Sequence, residues 1–342
     1  MKTAIVILNW NGVDMLRHYL PSVCAACPSD ACVIVADNGS TDDSLRMLAD
    51  EFPTVQTIAL PQNYGFAEGY NQALRGLQAE YYLLLNSDVR VEPGFLQPLV
   101  DYMDTHPDCA ACQPKLLSDA QPEQFEYAGA CGGFIDRWGY PYCRGRVFQT
   151  IETDHGQYVT IVPRLWASGA ALFIRRTDWE NVGGLDGRFF AHMEEIDLCW
   201  RLRARGRQIV CIPESRVYHL GGGTLQQGNP RKTFLNFRNN LLLLYKNLPD
   251  EQLHRTLRWR WLLDYVAALK FLLTGSAGEA KAVWKARRAF AKMRRSFTPQ
   301  REENLRLSSV AHIPEIYPHS LLYTYYVQGR KTFAAMVKEL QK

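Results

Sequence analysis

The stretch ACVIVADNGSTDDSLRMLADEF, residues 31–52, decides the fold class. Its first six residues form an unbroken apolar run, as in a strand covered on both faces. Asp37-Asn38-Gly39-Ser40 then supplies turn chemistry. From Ser40 onward the apolar residues fall at helical spacing, with Ser40 in the capping position and acids in the first turn. Strand, polar turn and helix make half of a βαβ unit.

The same unit recurs on both sides. TAIVIL (3–8) and GVDMLRHYLPSV (12–23) precede it, while VQTIAL (55–60), GFAEGYNQALRGL (65–77) and YYLLL (81–85) follow. Apolar strands joined through helices predict an α/β fold with a Rossmann-like, mostly parallel sheet flanked by helices. Ligands of such sheets sit beyond the carboxyl ends of the strands. Each predicted strand end there is polar: Asn9 and Asn11, then Asp37 and Asn38, then Asn63 and Gly65, then Asn86, Ser87 and Asp88. Turn chemistry explains one such end, whereas four in succession predict a ligand-binding rim. No Gly-x-Gly-x-x-Gly follows the first strand, so a dehydrogenase-type phosphate cradle is not expected.

At 342 residues the chain can bury a large core and carry an appendage. Its net charge of +4 conceals a split. Between Arg255 and Arg295, eleven Lys/Arg face two acids, Asp264 and Glu279, which leaves 28 basic against 33 acidic residues elsewhere. A basic segment on an acidic body predicts contact with something anionic. Cys24-x-x-Cys27 and Cys109-x-x-Cys112 do not lie in knuckle-like stretches, so the nine cysteines are expected as buried or half-buried thiols rather than a zinc site. MKTAIVILNW breaks at Asn9 and reads as a first strand, not a secretory signal, which makes a reducing cytoplasm the expected compartment. No run reaches the ~18 apolar residues of a spanning helix. WLLDYVAALKFLL (261–273) is interrupted by Asp264 and Lys270.

HMEEIDLCWRLRARG (192–206) is a second dense site. Acids at a helix start suit the helix dipole. Two adjacent ones, Glu194 and Glu195, repel each other, which raises one pKa and prepares a general base. Asp197 shares the same turn, and Glu194 or Asp197 is expected to orient Arg201 or a substrate. His219 stands at a strand end before Gly221-Gly222-Gly223. Together with Asp88 it offers a hard oxygen and an imidazole, a pair suited to Mn²⁺ or Mg²⁺ with a diphosphate completing the shell.

The succession VILNWNG, VIVADNGSTDDS, NYGFAEGYNQAL, LLLNSDV, ASGAALFIRR, GGLDGRFF, MEEIDLCWRLRARG and VYHLGGG resembles the catalytic domain of glycosyltransferase family 2, its bacterial rhamnosyltransferase-like branch most of all, over about residues 3–245. The resemblance implies a GT-A fold and inverting transfer from a dTDP-, UDP- or GDP-sugar, with dTDP-rhamnose as the leading donor. It implies that Asp37 accepts a hydrogen bond from the base, within a nucleotide-side set of Asn9, Asn11, Asp37, Asn38, Asn63, Gly65 and Asn86. Asp88 matches the last acid of an Asp-x-Asp metal motif, His219 a metal-side histidine, and Glu195 the general base. The catalytic set is therefore Glu195, Glu194 and Asp197. Two departures stand out: Asn86 replaces the first acid of the metal motif, and Glu195 stands where aspartate is commoner.

Beyond about residue 250, RTLRWRWLLDYVAALKFLLTG and AKAVWKARRAFAKMRRSF interleave aromatic with basic residues. This predicts a division into a catalytic domain (1–249) and a helical tail (250–342) that meets an anionic membrane surface. A lid packed on the domain with a solvated basic face is the alternative. No nucleic-acid module is visible. The expected protein is a cytoplasmic enzyme, peripheral on the inner face of the membrane, acting on a glycan or lipid-linked glycan. A nucleotidyltransferase would need a Gly-rich loop with a basic residue after the first strand, which NWNGVDML lacks, and a catalytically silent sugar-nucleotide sensor would not need Glu195, Asp88 and His219 together. WASGAA (166–171) and YAGACGGFIDRWGY (127–140) are expected to line the acceptor side.

Overall fold

The computed structural model describes residues 1–221 and 228–340. In chain order the elements begin β1 (Thr3–Asn9), α1 (Val13–Ala26), β2 (Ala31–Asp37), α2 (Ser44–Glu51), β3 (Gln56–Ala59), α3 (Gly65–Leu74), β4 (Tyr81–Asn86), β5 (Val89–Val91), α4 (Gln97–Thr105) and β6 (Cys109–Ser118). A small antiparallel group follows: β7 (Gly133–Asp136), β8 (Pro141–Cys143), β9 (Arg146–Val147) and β10 (Thr150–Ile151). Then come β11 (Ala171–Arg175), α5 (Arg176–Val182), α6 (Glu194–Ala204), β12 (Gln208–His219) and α7 (Pro230–Asn247). The last part contains α8 (Asp250–Leu273), α9 (Ala277–Met293), α10 (Thr298–Arg306), β13 (Ile316–Tyr317) and α11 (Phe333–Leu340).

The main sheet runs β3-β2-β1-β4-β11-β6-β12-β5. Its first four strands are parallel, while β11 is antiparallel to both of its neighbours. Alternate side chains of each strand leave on opposite faces. Ala4 and Val6 with Tyr82 and Leu84 accordingly meet α3, α6 and α7. Ile5 and Ile7 with Leu83 and Leu85 meet α1, α2 and α4. A two-sided apolar sheet explains why these strands read as unbroken hydrophobic runs. β3 and β5 are the edge strands, and β3 is largely exposed.

Register aligns the strand ends. Asn9 pairs with Asp37, and Leu8 with Asn86. Chain order reverses between β1 and β4, so the switch point of the sheet falls between Asn9 and Asn86. In β12 the register slips between Ile212 and Arg216 and then recovers, so that His219 ends level with Ser118 on one side and Val89 on the other. A bulge of this kind re-aims the end of a strand.

Ser40 does not cap α2. The helix starts four residues later, at Ser44, and the Ser40 hydroxyl instead accepts from the backbone of Asn11 at 2.8 Å. All nine cysteines are free thiols, six buried and three half-buried.

The chain beyond residue 250 returns to the catalytic body. Arg301 of α10 donates to the carbonyls of Tyr245 and Leu248. β13 pairs parallel with β7, and the Leu321 amide donates to Asp136 at 2.8 Å. Among the described residues no helix is long and apolar enough to cross a membrane.

Candidate active site

The carboxyl edge of β1, β2 and β4 assembles two linked polar clusters. In the first, Asn9 donates to Asp37 at 2.9 Å and to Ser40 at 3.3 Å, and the Ser40 amide returns to Asp37 at 2.9 Å. Asn11, in the left-handed region at φ +50°, accepts from the Thr41 amide at 2.7 Å. In the second, Asn38 donates to Asn63 at 3.2 Å and to the Gly65 carbonyl at 3.0 Å, while the Gly65 amide donates to Asn63 at 2.8 Å. Six of the seven nucleotide-side candidates thus share one rim. Asp37 is buried, with an oxygen engaged on each side. Gly65 has φ +79°, and a Cβ there would fall 2.5 Å from the Phe190 ring. Its glycine identity thus follows from the approach of the chain that leads into α6.

The seventh candidate, Asn86, joins the metal-side pair instead. Its amide nitrogen lies 3.4 Å from Nε2 of His219, which in turn lies 3.1 Å from Asp88 Oδ1. Asp88 and His219 are both buried. Burial would raise the Asp88 carboxyl, but hydrogen bonding and charge from His219 hold it below its usual range. For His219, burial works downward and is overcome by Glu126 and Asp88, which push the imidazole up to about 10.

Glu126 is a site residue that the sequence reading missed. It is buried, and its Oε1 stands 3.2 Å from His219 Nδ1, out of line for a hydrogen bond, so Nδ1 is left without one. No strand or helix pattern marks Glu126 in the sequence, because it sits in the irregular stretch after β6. Gly222 and Gly223, also singled out from the sequence, lie outside the described residues.

Among the described residues no group of three or more His, Cys, Asp or Glu is disposed to hold a metal ion. The Asp88–His219 pair nonetheless fits one. Adjacent ligands at about 2.1 Å from an octahedral ion stand about 3 Å apart, and the donor types suit Mn²⁺ or Mg²⁺. A ligating histidine characteristically turns its other nitrogen to a carboxylate, the position that Glu126 occupies.

The third group enters on α6. Phe190, His192 and Met193 all adopt positive φ (+67°, +70° and +74°) just before the helix. Such residues cost on the order of 1–3 kcal/mol each and persist where surroundings over-determine them. Asn239 of α7 does this: it donates to the carbonyls of Phe189, Ala191 and His192 at 2.9, 2.8 and 2.7 Å. The turn delivers Glu194 and Glu195 with Oε2 of each sealed from solvent and unpartnered. Burial pushes the Glu195 carboxyl up to about 7. Glu194 is driven well above its usual value, by burial first and by Glu195 second. His192 is also enclosed, its Nε2 unpartnered, and burial lowers it to about 4.

Glu195 starts beside the segment that pairs with the end of β4. A Cβ on Gly169 would lie 3.8 Å from Glu195 Cβ and 3.3 Å from Phe66, and the next residue, Ala170, accepts the Asn86 amide at 3.0 Å.

Asp197 takes a different position. It is fully buried and meets Arg201 at 3.0 Å, Lys246 at 2.7 Å and Asn247 at 2.9 Å. Lys246 also meets Asp186 at 2.8 Å. Asp197 therefore bolts α6 to α7, and of the two acids expected to orient Arg201 it is the one that does. Trp166 is likewise enclosed: it packs on Gly133, and its indole donates to the Phe134 carbonyl at 3.0 Å. A polar cavity of about 420 Å³ lies behind this anchor, between the Gly183–Arg188 loop and α10, and includes none of Asp88, Glu195 and His219.

Comparison with solved structures matches this architecture. GalNAc-T7 with UDP, GalNAc and Mn²⁺ superposes with a TM-score of 0.58 at 16% identity, over 72% of this chain and 48% of that one. S. aureus TarS 1–349 in complex with UDP gives 0.52 at 14% identity, over 90% and 89%. At these identities the likeness is one of fold: the chain has the GT-A fold of glycosyltransferases. The sequence narrows the class. The profile described as Glycosyl transferase family 2 matches residues 4–156. An N-acetylglucosaminyl-diphospho-decaprenol L-rhamnosyltransferase of Mycobacterium tuberculosis is 26% identical over 231 residues, 63% of this chain and 75% of that protein. The chain is similar to glycosyltransferase family 2 over residues 4–156, and it is a glycosyltransferase.

Proposed function

We propose that the enzyme transfers one sugar, with inversion, from a nucleoside-diphosphate sugar to a hydroxyl of a lipid-linked or oligosaccharide acceptor. The observation that carries this reading is the raised carboxyl of Glu195, next to the Gly169–Ala170 segment that pairs with Asn86 at the end of β4, two residues before Asp88. dTDP-rhamnose is the leading donor and cell-surface polysaccharide the leading product; the name of the mycobacterial relative supports rhamnosyl transfer to a lipid-linked sugar. UDP- and GDP-sugars are the other donor classes. A cytoplasmic enzyme, peripheral on the inner face of the membrane, suits a lipid-linked acceptor.

In this reading the rim around Asp37, with Asn9, Asn11, Asn38, Asn63 and Gly65, receives the nucleoside. Asp88 and His219 would hold Mn²⁺ or Mg²⁺, with Asn86 alongside. When bound, the ion supplies Lewis-acid neutralisation of the diphosphate. The acceptor hydroxyl attacks the anomeric carbon from the face opposite the diphosphate, and Glu195 takes its proton as the new bond forms. A single displacement with no enzyme nucleophile inverts the anomeric centre.

The test is direct. Wild type is incubated with dTDP-rhamnose, UDP-sugars and GDP-sugars, each with Mn²⁺ and a polyprenyl-diphospho-sugar, and the product linkage is read by NMR. Inverted product is expected from one donor class, and none from Asp88→Ala. Retention of configuration, or full turnover by Asp88→Ala, overturns the assignment.

A further inference from the structure

Helix α8 is built inside out. Its buried positions are Leu253, Thr256, Arg260, Asp264 and Ala268, a stripe that places an ion pair in the interior. Arg260 (2% exposed) donates to Asp264 (0% exposed) at 3.0 Å, to the Trp138 carbonyl at 3.0 Å and to the Asn240 side chain. Arg287 of α9 reaches the other Asp264 oxygen at 2.6 Å. The apolar residues face outward instead. Leu262, Val266, Leu269 and Leu273 recur at helical spacing and are 47%, 56%, 55% and 79% exposed. Trp259 leads this row, and Trp261 and Leu272 stand exposed beside it. Lys270 lies 5.7 Å from the Tyr326 ring, so exposed Tyr326 and Val327 extend the apolar surface past the helix.

From Arg255 onward the exposed charges of α8 and α9 have one sign. Arg255, Arg258, Lys270, Lys281, Lys285 and Arg288 are all exposed. The two acids of the Arg255–Arg295 segment are turned in: Asp264 is buried between arginines, and Glu279 accepts from Thr233 at 3.0 Å. An ordinary surface helix shows the reverse, with its apolar stripe on the core. A helix with an exposed apolar row flanked by basic residues lies in the headgroup region of an anionic bilayer. A second copy of the chain fits this face less well, because it would set basic residues against basic residues.

We infer that the outward face of α8, from Trp259 to Leu273, is the surface on which the enzyme docks to an anionic membrane. This rests on the proposed action at a lipid-linked acceptor and names the part of the molecule that brings the enzyme to it. The buried side of the same helix is linked to the candidate site. Arg260 grips Asn240, whose neighbour Asn239 holds the turn before Glu194 and Glu195.

The experiment uses the full chain and vesicles of phosphatidylcholine with or without 30 mol% phosphatidylglycerol, and a variant carrying Leu262→Gln, Val266→Gln, Leu269→Gln and Leu273→Gln. Wild type is expected to float with the anionic vesicles, with a blue shift of tryptophan fluorescence. The variant is expected to bind at least tenfold more weakly while keeping its thermal midpoint and its transfer to a water-soluble acceptor. Equal flotation of variant and wild type overturns the inference. So does a wild type that ignores anionic vesicles but forms a dimer that the variant lacks. Transfer to the soluble acceptor separates the two readings: its absence in wild type counts against the proposed reaction, whereas its presence without vesicle binding counts against the docking face alone.

Discussion

At the scale of single residues, the two adjacent acids of α6 divide their labour through their environment. Glu194 is driven well above its usual value, by burial first and by the charge of Glu195 second. Glu195 is lifted by burial, which backbone hydrogen bonds partly offset, to about 7. A base acts when deprotonated, so kcat/KM should rise with pH through about 7 and level above it, instead of levelling above an ordinary glutamate value. Glu195→Gln should lower kcat by roughly 10²–10⁴-fold. Glu194→Gln keeps the shape of a side chain that is not the base and should keep kcat within about tenfold with the same pH limb. A pH–rate series on the three proteins decides it, and the assignment fails if Glu194→Gln is the inactive one. The sequence made this acid pair, Asp88 and His219 visible, because strand ends and helix starts leave a pattern. It hid Glu126 and His192, which become site residues only through contacts made across the fold.

At the scale of elements, the position of α6 depends on α7. Lys246 lies buried between Asp186 and Asp197, and Asn239 holds three carbonyls of the turn before the helix. Lys246→Ala would remove one cation from buried Asp197, which keeps Arg201, and from half-buried Asp186, which keeps Arg188, and should cost about 1–3 kcal/mol. Urea unfolding should show that loss as a lower midpoint. Asn239→Ala should act on geometry more than on binding. With its tether gone the strained Phe190–Met193 backbone relaxes, and a displacement of about 1 Å at Glu195 lowers kcat roughly 10²-fold. KM for the donor should change little, and a comparable rise in donor KM would show that Asn239 serves the nucleotide rim instead. The helices themselves were legible from their spacing. The use of Asp197 was not, since an acid in a first turn looks the same whether it meets a substrate or a lysine forty-nine residues on. Ser40 misled for a related reason: its hydroxyl suited a cap, but Asn9 and Asn11 offered it partners on the neighbouring strand end.

At the scale of the whole molecule, the sequence declared the charge split but not its direction. Apolar and polar stripes both run along α8, and the general preference for apolar interiors would have turned Leu262 and Val266 inward. The interior at that place is polar. It offers the Trp138 carbonyl, Asn240 and Arg287, which satisfy Arg260 and Asp264 in a way that leucines could not. The exposed row therefore follows from what α8 must match inside. Membrane binding through it should contain two separable contributions. The basic residues act through a field that falls off within about 10 Å at 0.1 M salt, whereas apolar insertion does not depend on that field. Raising NaCl from about 0.05 to 0.5 M should weaken wild-type binding to anionic vesicles by at least tenfold yet leave a residual fraction bound. That residue should vanish in the four-glutamine variant at high salt. Sedimentation across a salt series with both proteins tests the partition, and a wild type that detaches completely at 0.5 M would mean that its apolar row never enters the bilayer.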